Sequence, residues 1–234
     1  MTRALPPLPD DLIETVRRLE RLILHNTIIT GDARELIEQI PDESIDLIFT
    51  DPPYSKQWLY LYEWLGEAAA RVLKSSGFLI SYVPPYYKNI IMGYFDRHLS
   101  YFWDYIEYNT LNSTIIWPRK TISRYKSLLC YRRLGSNALP RTTALGVYVG
   151  NGGDKRYHKW GQSEQTARYF IDVFSKVDDV VLDPMVGAGT TSFVCKMLGR
   201  NYIAFEIDAD TADLARARVG GTILPHEEKQ LDLI

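Results

Sequence analysis

Short apolar runs and longer amphipathic stretches alternate along most of the chain. Leu12, Val16, Leu19 and Ile23 recur at helical spacing behind Asp10, a residue suited to cap a helix, and predict a helix over Asp10–Ile23. Thr27–Thr30 reads as a short strand that stops at Gly31-Asp32, and a short helix over Arg34–Ile40 leads to an apolar strand, Ile45–Thr50. Trp58, Leu61, Tyr62, Leu65, Ala69 and Val72 make one stripe of an amphipathic helix over Trp58–Lys74, with Gly77 just past its end. Phe78–Val83 is the next strand. The middle is less regular, with a helix over Asn89–Leu99 and strands over Tyr101–Tyr108 and Ser127–Tyr131. Regular alternation then returns: helix Ser163–Lys176, strand Val180–Asp183, helix Thr190–Leu198, strand Tyr202–Phe205 and a last helix over Ala209–Arg218. This order predicts an α/β fold with a doubly wound, mostly parallel sheet. Such sheets bind ligands at the carboxyl ends of their strands, where strand order reverses.

Composition narrows the class. The length of 234 residues suits one α/β domain with an inserted lobe, and 46% hydrophobic and 24% charged residues are ordinary for a globular protein. No apolar stretch approaches a membrane span, and Met1–Pro7 lacks the apolar core of a signal peptide, so the expected location is the cytoplasm. The two cysteines, Cys130 and Cys195, each sit in an apolar run and read as core. They give neither a disulfide framework nor a zinc pattern, and no metal is expected. Net charge is −2, yet Arg119, Lys120, Arg124, Lys126, Arg132, Arg133, Arg141, Lys155, Arg156 and Lys159 share the span from Trp117 to Lys159 with one acid, Asp154. Such an excess steers a polyanion.

Two loops carry the chemistry. Asp51-Pro52-Pro53-Tyr54 follows the Ile45–Thr50 strand. Pro52 keeps Asp51 extended, and Pro53 fixes the next φ without contributing an N–H. The result is a stiff loop showing one carboxylate, the Pro52 carbonyl and the flat face of Tyr54, groups that suit a planar base bearing an exocyclic amine. The second loop, Asp183-Pro184-Met185-Val186-Gly187-Ala188-Gly189-Thr190-Thr191, joins a strand to a helix. Gly187 and Gly189 permit a tight turn and close approach of backbone to a ligand, and the helix start offers N–H groups. Glu206, at the end of the next strand in Phe205-Glu206-Ile207-Asp208, is placed to take the hydroxyls of a ribose. The third glycine of a dinucleotide fingerprint is replaced by Ser192, and no phosphate-binding Gly-Lys loop is present. A cofactor with ribose and adenine but no phosphate, S-adenosyl-L-methionine, fits better.

With Gly31-Asp32, Asp51–Tyr54, the helix and strand running to Val83, His158–Gln162, Asp183–Thr191 and Phe205–Asp208 in this order, the chain resembles the amino-methylating DNA methyltransferases of the beta arrangement. That family modifies adenine N6 or cytosine N4. Its catalytic motif comes first, a target-recognition segment follows, and the glycine loop comes last. One departure is the family's His-Pro-x-Gln-Lys-Pro, here His158-Lys159-Trp160-Gly161-Gln162-Ser163-Glu164, without either proline and with Ser163 for the lysine.

The resemblance implies a single Rossmann-like methyltransferase domain over residues 1–234 with a seven-stranded type of sheet. A catalytic half spans 26–83, a partly inserted recognition segment 84–160 and a cofactor-binding half 161–218. It implies that Asp51 and the Pro52 carbonyl accept the amine hydrogens, that Pro53 stiffens the loop and that Tyr54 stacks on a base flipped out of duplex DNA. Asp32 would meet the cofactor adenine, Glu206 the ribose, and Gly187–Gly189 the methionine portion. Asp51, Gln162, Ser163, Asp183, Pro184, Thr190, Thr191 and Ile207 complete the cofactor set, while Asp208 reads as a helix cap. Arg119, Lys120, Arg124, Lys126, Arg132, Arg133 and Arg156 are the expected DNA contacts. Asp at the head of the tetrapeptide leans toward adenine N6, since cytosine N4 enzymes more often carry Ser there. A cytosine N4 enzyme, an RNA amino-methyltransferase and a non-catalytic nucleic-acid-binding homologue are the alternatives. The resemblance also brings restriction–modification and homodimers into view.

Overall fold

The computed structural model describes residues 25–110, 113–150 and 163–221. The helix expected over Asp10–Ile23 lies outside them, as do Arg156 and Gln162. Eight strands form one sheet: β1 (Thr27–Thr30), β2 (Ile45–Thr50), β3 (Leu73–Val83), β4 (Leu99–Asn109), β7 (Tyr125–Arg133), β8 (Val147–Gly150), β9 (Val180–Asp183) and β10 (Asn201–Glu206). Their order is β1-β10-β9-β2-β3-β7-β4-β8. Within this sheet β7 alone runs antiparallel to its neighbours. From β2 the chain winds outward through β3, and from β9 it winds the other way through β10. Order therefore reverses between β2 and β9, which pair directly at Leu47↔Val181 and Ile48↔Leu182. The mostly parallel, doubly wound sheet expected from the alternation is what forms.

Helices cover both faces. On one, α4 (Glu164–Phe174), α5 (Thr190–Leu198) and α6 (Ala209–Gly220) pack Phe170, Phe174, Val194 and Ala215 over Leu47, Phe49, Ile80, Tyr82 and Leu128. On the other, α1 (Ala33–Leu36), α2 (Leu59–Val72) and α3 (Lys88–Phe95) pack Tyr62, Leu65, Ile91 and Phe95 over Ile48, Leu79, Leu129 and Leu182. Alternate residues of each strand feed opposite cores, so the central runs Leu47–Phe49, Phe78–Ile80 and Val180–Leu182 are continuously apolar. Cys130 and Cys195 are buried, as their apolar settings predict. No helix among the described residues is long and apolar enough to cross a membrane.

The structure departs from the periodicity at four places, one being the helix expected over Asn89–Leu99, which ends at Phe95 because Leu99 begins β4. The helix expected over Trp58–Lys74 starts at Leu59 and stops at Val72, because β3 begins at once with Leu73 beside Ile45. Gly77 is thus inside a strand, at a register shift, rather than behind a helix. A Cβ there would come within 3.0 Å of the Ile45 carbonyl oxygen, so close backbone approach requires glycine. The expected helix over Arg34–Ile40 divides into α1 and a 3₁₀ turn, Ile37–Gln39. The basic segment supplies an eighth strand, β8, and a hairpin of β5 (Thr114–Ile116) with β6 (Thr121–Ser123). Both are runs of three or four residues, too short to show a period.

Candidate active site

The two loops singled out above leave adjacent parallel strands at the same edge. Thr50, the last residue of β2, donates to Asp183 Oδ1 across 2.8 Å and pins the loops together. Met185 N–H donates to the same oxygen at 3.2 Å, and the Thr191 hydroxyl also hydrogen-bonds this carboxyl. Burial pushes the Asp183 carboxyl up to about 6, against the lowering effect of these donors. Asp183 and the buried Pro184 are thereby the hinge pin of the site.

Asp51 opens the other loop. Its Oδ1 is shut off from solvent and has no hydrogen-bond partner. The Tyr54 hydroxyl hydrogen-bonds the carboxyl, while the Tyr54 residue remains 37% exposed, its ring available at the site mouth. Burial raises the Asp51 carboxyl to about 6; Lys126 and Tyr54 pull it down, and Glu107 pushes it up. Pro53 is exposed and Pro52 buried. The Pro52 carbonyl, expected to be free, accepts from the Tyr62 hydroxyl at 3.2 Å. Because a carbonyl has two lone pairs, one acceptor position remains. Tyr62 belongs to the apolar stripe of α2, which gave its body a place in the core and hid the use of its hydroxyl.

The glycine loop is built for close approach. Gly187 and Gly189 have φ of 51° and 81°, a region open mainly to glycine. A Cβ on Gly189 would lie 3.0 Å from Ala215 Cβ, so this glycine seats α6. A Cβ on Gly187 would meet nothing within 4 Å, so that backbone faces open space. Glu206 Oε2 accepts from Gly187 N–H at 2.9 Å and Oε1 from Asp208 N–H at 3.1 Å. A carboxylate offers about four acceptor positions, which leaves capacity for two hydroxyls. Ile207 beside it is exposed. Arg218, buried in α6, donates to the Ala188 carbonyl and Thr190 Oγ1, both at 3.0 Å, and to Glu164 Oε1 at 2.6 Å. No period or motif distinguishes this arginine in the sequence.

Two assignments are revised. Asp32 lies beside Glu206, through Gly31 N–H to the Glu206 carbonyl at 2.8 Å, but its carboxylate caps α1 and is gripped by Arg34 at 2.5–3.2 Å. The Arg34 guanidinium holds that carboxyl below its ordinary range. Ser163 caps α4 through Thr166 N–H at 3.3 Å and is buried, so it acts as a helix cap where the family has lysine. Asp208 caps α6, as expected.

The basic residues divide. Arg119, Lys120 and Arg124 are exposed on and beside the β5–β6 hairpin, which springs from the carboxyl end of β4 at the active edge. Arg119 lies over the Tyr86 ring at 4.7 Å, and Trp117 at the hairpin turn is 74% exposed. Arg132 and Arg133 are elsewhere: β7 is antiparallel, so six residues beyond Lys126 they reach the opposite edge, about 20 Å away. There Arg133 pairs with Glu43 and Arg132 donates to the Ala138 carbonyl. They are anchors of the far edge and no part of this face. Among the described residues no cluster of three or more His, Cys, Asp or Glu is placed to hold a metal.

A family model described as DNA methylase matches residues 45–217. The Type II methyltransferase M.HinfI of Haemophilus influenzae is 30% identical, over 83% of this chain and 68% of that protein. Among solved structures, the PvuII DNA methyltransferase (cytosine-N4-specific) aligns with a TM-score of 0.72 at 17% identity, covering 82% of this chain and 85% of that one. The M1.HpyAVI–SAM complex aligns with a TM-score of 0.68 at 21% identity, covering 82% and 98%. These two likenesses concern the fold.

Proposed function

The chain belongs to the DNA methylase family of N6 and N4 amino-methyltransferases, and on that premise we propose that it methylates the exocyclic amine of a base flipped out of duplex DNA, adenine N6 first. Residues 26–83 supply the accepting half, 84–160 the recognition segment and 161–218 the cofactor half. The observation that carries the reading is the buried, unpartnered Asp51 Oδ1 at the point where strand order reverses. A buried acceptor without a donor is costly, and the N–H of a substrate amine removes that cost.

The amine lone pair is delocalised into the base, which makes the nitrogen a poor nucleophile. Asp51 Oδ1 and the second lone pair of the Pro52 carbonyl take its two hydrogens and draw the nitrogen toward a tetrahedral shape. Tyr54 stacks on the flipped ring, a contact of about 1–3 kcal/mol. The open backbone at Gly187 and the spare acceptor positions of Glu206 fit S-adenosyl-L-methionine. When bound, that molecule supplies an electrophilic methyl group on sulfur. Asp51 need not be a strong base, because the amine proton becomes acidic only after methylation.

Asp at the head of the tetrapeptide supports adenine. Cytosine N4 is the second reading, since its amine offers the same hydrogens to the same acceptors. The test is incubation with methyl-labelled S-adenosylmethionine and duplex DNA, single strands or RNA, followed by identification of the modified nucleoside. N6-methyladenine in duplex DNA is expected. N4-methylcytosine shifts the assignment, and label confined to RNA overturns it.

The hairpin gives a separate expectation. The Arg119→Ala/Lys120→Ala pair weakens DNA binding and flattens the plot of log K against log salt by about two, as loss of two phosphate contacts requires. Neutralising Arg132 and Arg133 leaves that slope unchanged. Binding isotherms between 50 and 200 mM salt, roughly the range over which such contacts show, distinguish the two pairs.

A further inference from the structure

Four neighbouring strands, β2, β3, β7 and β4, bring Asp51 and Tyr82, and two residues further out Lys126 and Glu107, together on one face at the active edge. Glu107 pairs in register with Lys126, so their side chains share a face. That face is the one carrying Phe49, Tyr82, Leu128 and Tyr105, which alternate by two with Asp51, Lys126 and Glu107. Lys126 Nζ lies 5.3 Å from the centre of the Tyr82 ring. The Tyr82 hydroxyl donates to Glu107 Oε2 at 3.1 Å, and Thr166 Oγ1 donates to Glu107 Oε1 at 2.9 Å. Glu107 is 1% exposed, a carboxyl fixed from two sides inside the apolar layer.

Lys126 therefore does not belong with the exposed arginines of the hairpin. We propose that Lys126 is a positioning residue for methyl transfer: reaching over the Tyr82 ring, its ammonium supplies the counter-charge to Asp51, and the Glu107 carboxyl anchors the group. This rests on the methyltransferase reading above. The groups facing Asp51 are Tyr54 in its own loop, Tyr62 of α2, Tyr82 of β3, Glu107 of β4, Lys126 of β7 and Asp183 of β9. Three are neutral phenols and two are carboxyls, so Lys126 is the cation of this set. It opposes both burial and the repulsion from Glu107.

The test compares wild type, Lys126→Met and Lys126→Arg in three measurements. These are single-turnover methylation against pH, DNA affinity against salt, and titration of the Asp51 carboxyl carbon by NMR. In Lys126→Met the Asp51 titration and the acid limb of the rate move up by about one pH unit. That move makes the rate at pH 6 about fivefold lower, while DNA affinity and its salt slope hold and Lys126→Arg restores the limb. An unmoved Asp51 titration overturns the proposal, and with a salt slope flatter by about one it makes Lys126 a phosphate contact. If the wild type methylates no nucleic acid, the functional reading fails, yet the carboxyl titration still decides the role of Lys126.

Discussion

Asp51→Ala abolishes detectable methyl transfer while the protein keeps its fold and its affinity for S-adenosylmethionine. The truncation removes Asp51 Oδ1, a buried acceptor without a protein partner, and alters no residue of the glycine loop or of Glu206. Loss of a single positioned polar group of this kind costs about 10²–10³ in rate, and loss of amine orientation adds to it. Single-turnover methylation should fall at least about a thousandfold, with calorimetric cofactor binding within about threefold of wild type. Asp51→Asn is the milder control. Its amide keeps the volume and one acceptor oxygen but loses the charge, so part of the rate survives where Asp51→Ala loses it. Substantial activity in Asp51→Ala sinks the mechanism.

The same carboxyl sets a pH dependence with a worked sign. Asp51 and Asp183 are both pushed up to about 6, mainly by burial. Asp51 accepts well only when ionised, so the rate falls as pH drops through about 6. Stability moves the other way for these two groups. A carboxyl with a raised folded-state pKa favours the fold below its unfolded value of about 4, and that contribution is lost as pH rises through about 6. Activity lost between about pH 6 and pH 5 is therefore reversible titration, which circular dichroism at both pH values checks.

The sheet was legible because short apolar runs alternate with amphipathic helices along the chain and its loops carry proline and glycine where the backbone needs them. Asp51–Tyr54 and Asp183–Thr191 announced themselves by residues with narrow backbone preferences, and the sheet brought them to adjacent strands. What stayed hidden depended on direction and partnership. Arg132 and Arg133 directly follow an apolar run, and nothing local shows that this run is the one antiparallel strand of the sheet. Glu107 could have been suspected as an acid inside an aromatic strand, though its partner Thr166 is 59 residues away. Asp32 carried two compatible roles, ligand and cap, and the neighbouring Arg34 favoured the cap.

Arg218→Met is expected to destabilise the protein by up to about 3–5 kcal/mol, the range for breaking a fully buried ion pair from one side, because Arg218 is buried while Glu164 keeps 26% of its side chain exposed. Arg218 is 3% exposed and ties three elements together: the Ala188 carbonyl in the glycine loop, Thr190 at the start of α5, and Glu164 at the start of α4. Methionine fills much of the space but strands the Glu164 carboxylate and the Ala188 carbonyl without this donor. At about 2–4 °C per kcal/mol for a domain of this size, the midpoint of thermal unfolding drops by up to about 6–20 °C. The loop between Gly187 and Gly189 loses its inner support, so cofactor affinity falls too, although Arg218 touches no part of the open face. The Arg218→Met/Glu164→Met double variant separates the causes. If the cost comes from an uncompensated buried charge, the double recovers a large part of the stability, and the two changes are strongly non-additive. If the cost is lost packing around the loop, the double is no better than the single. Recovery of stability without recovery of cofactor affinity identifies the Ala188 and Thr190 contacts as what holds the loop in its binding shape.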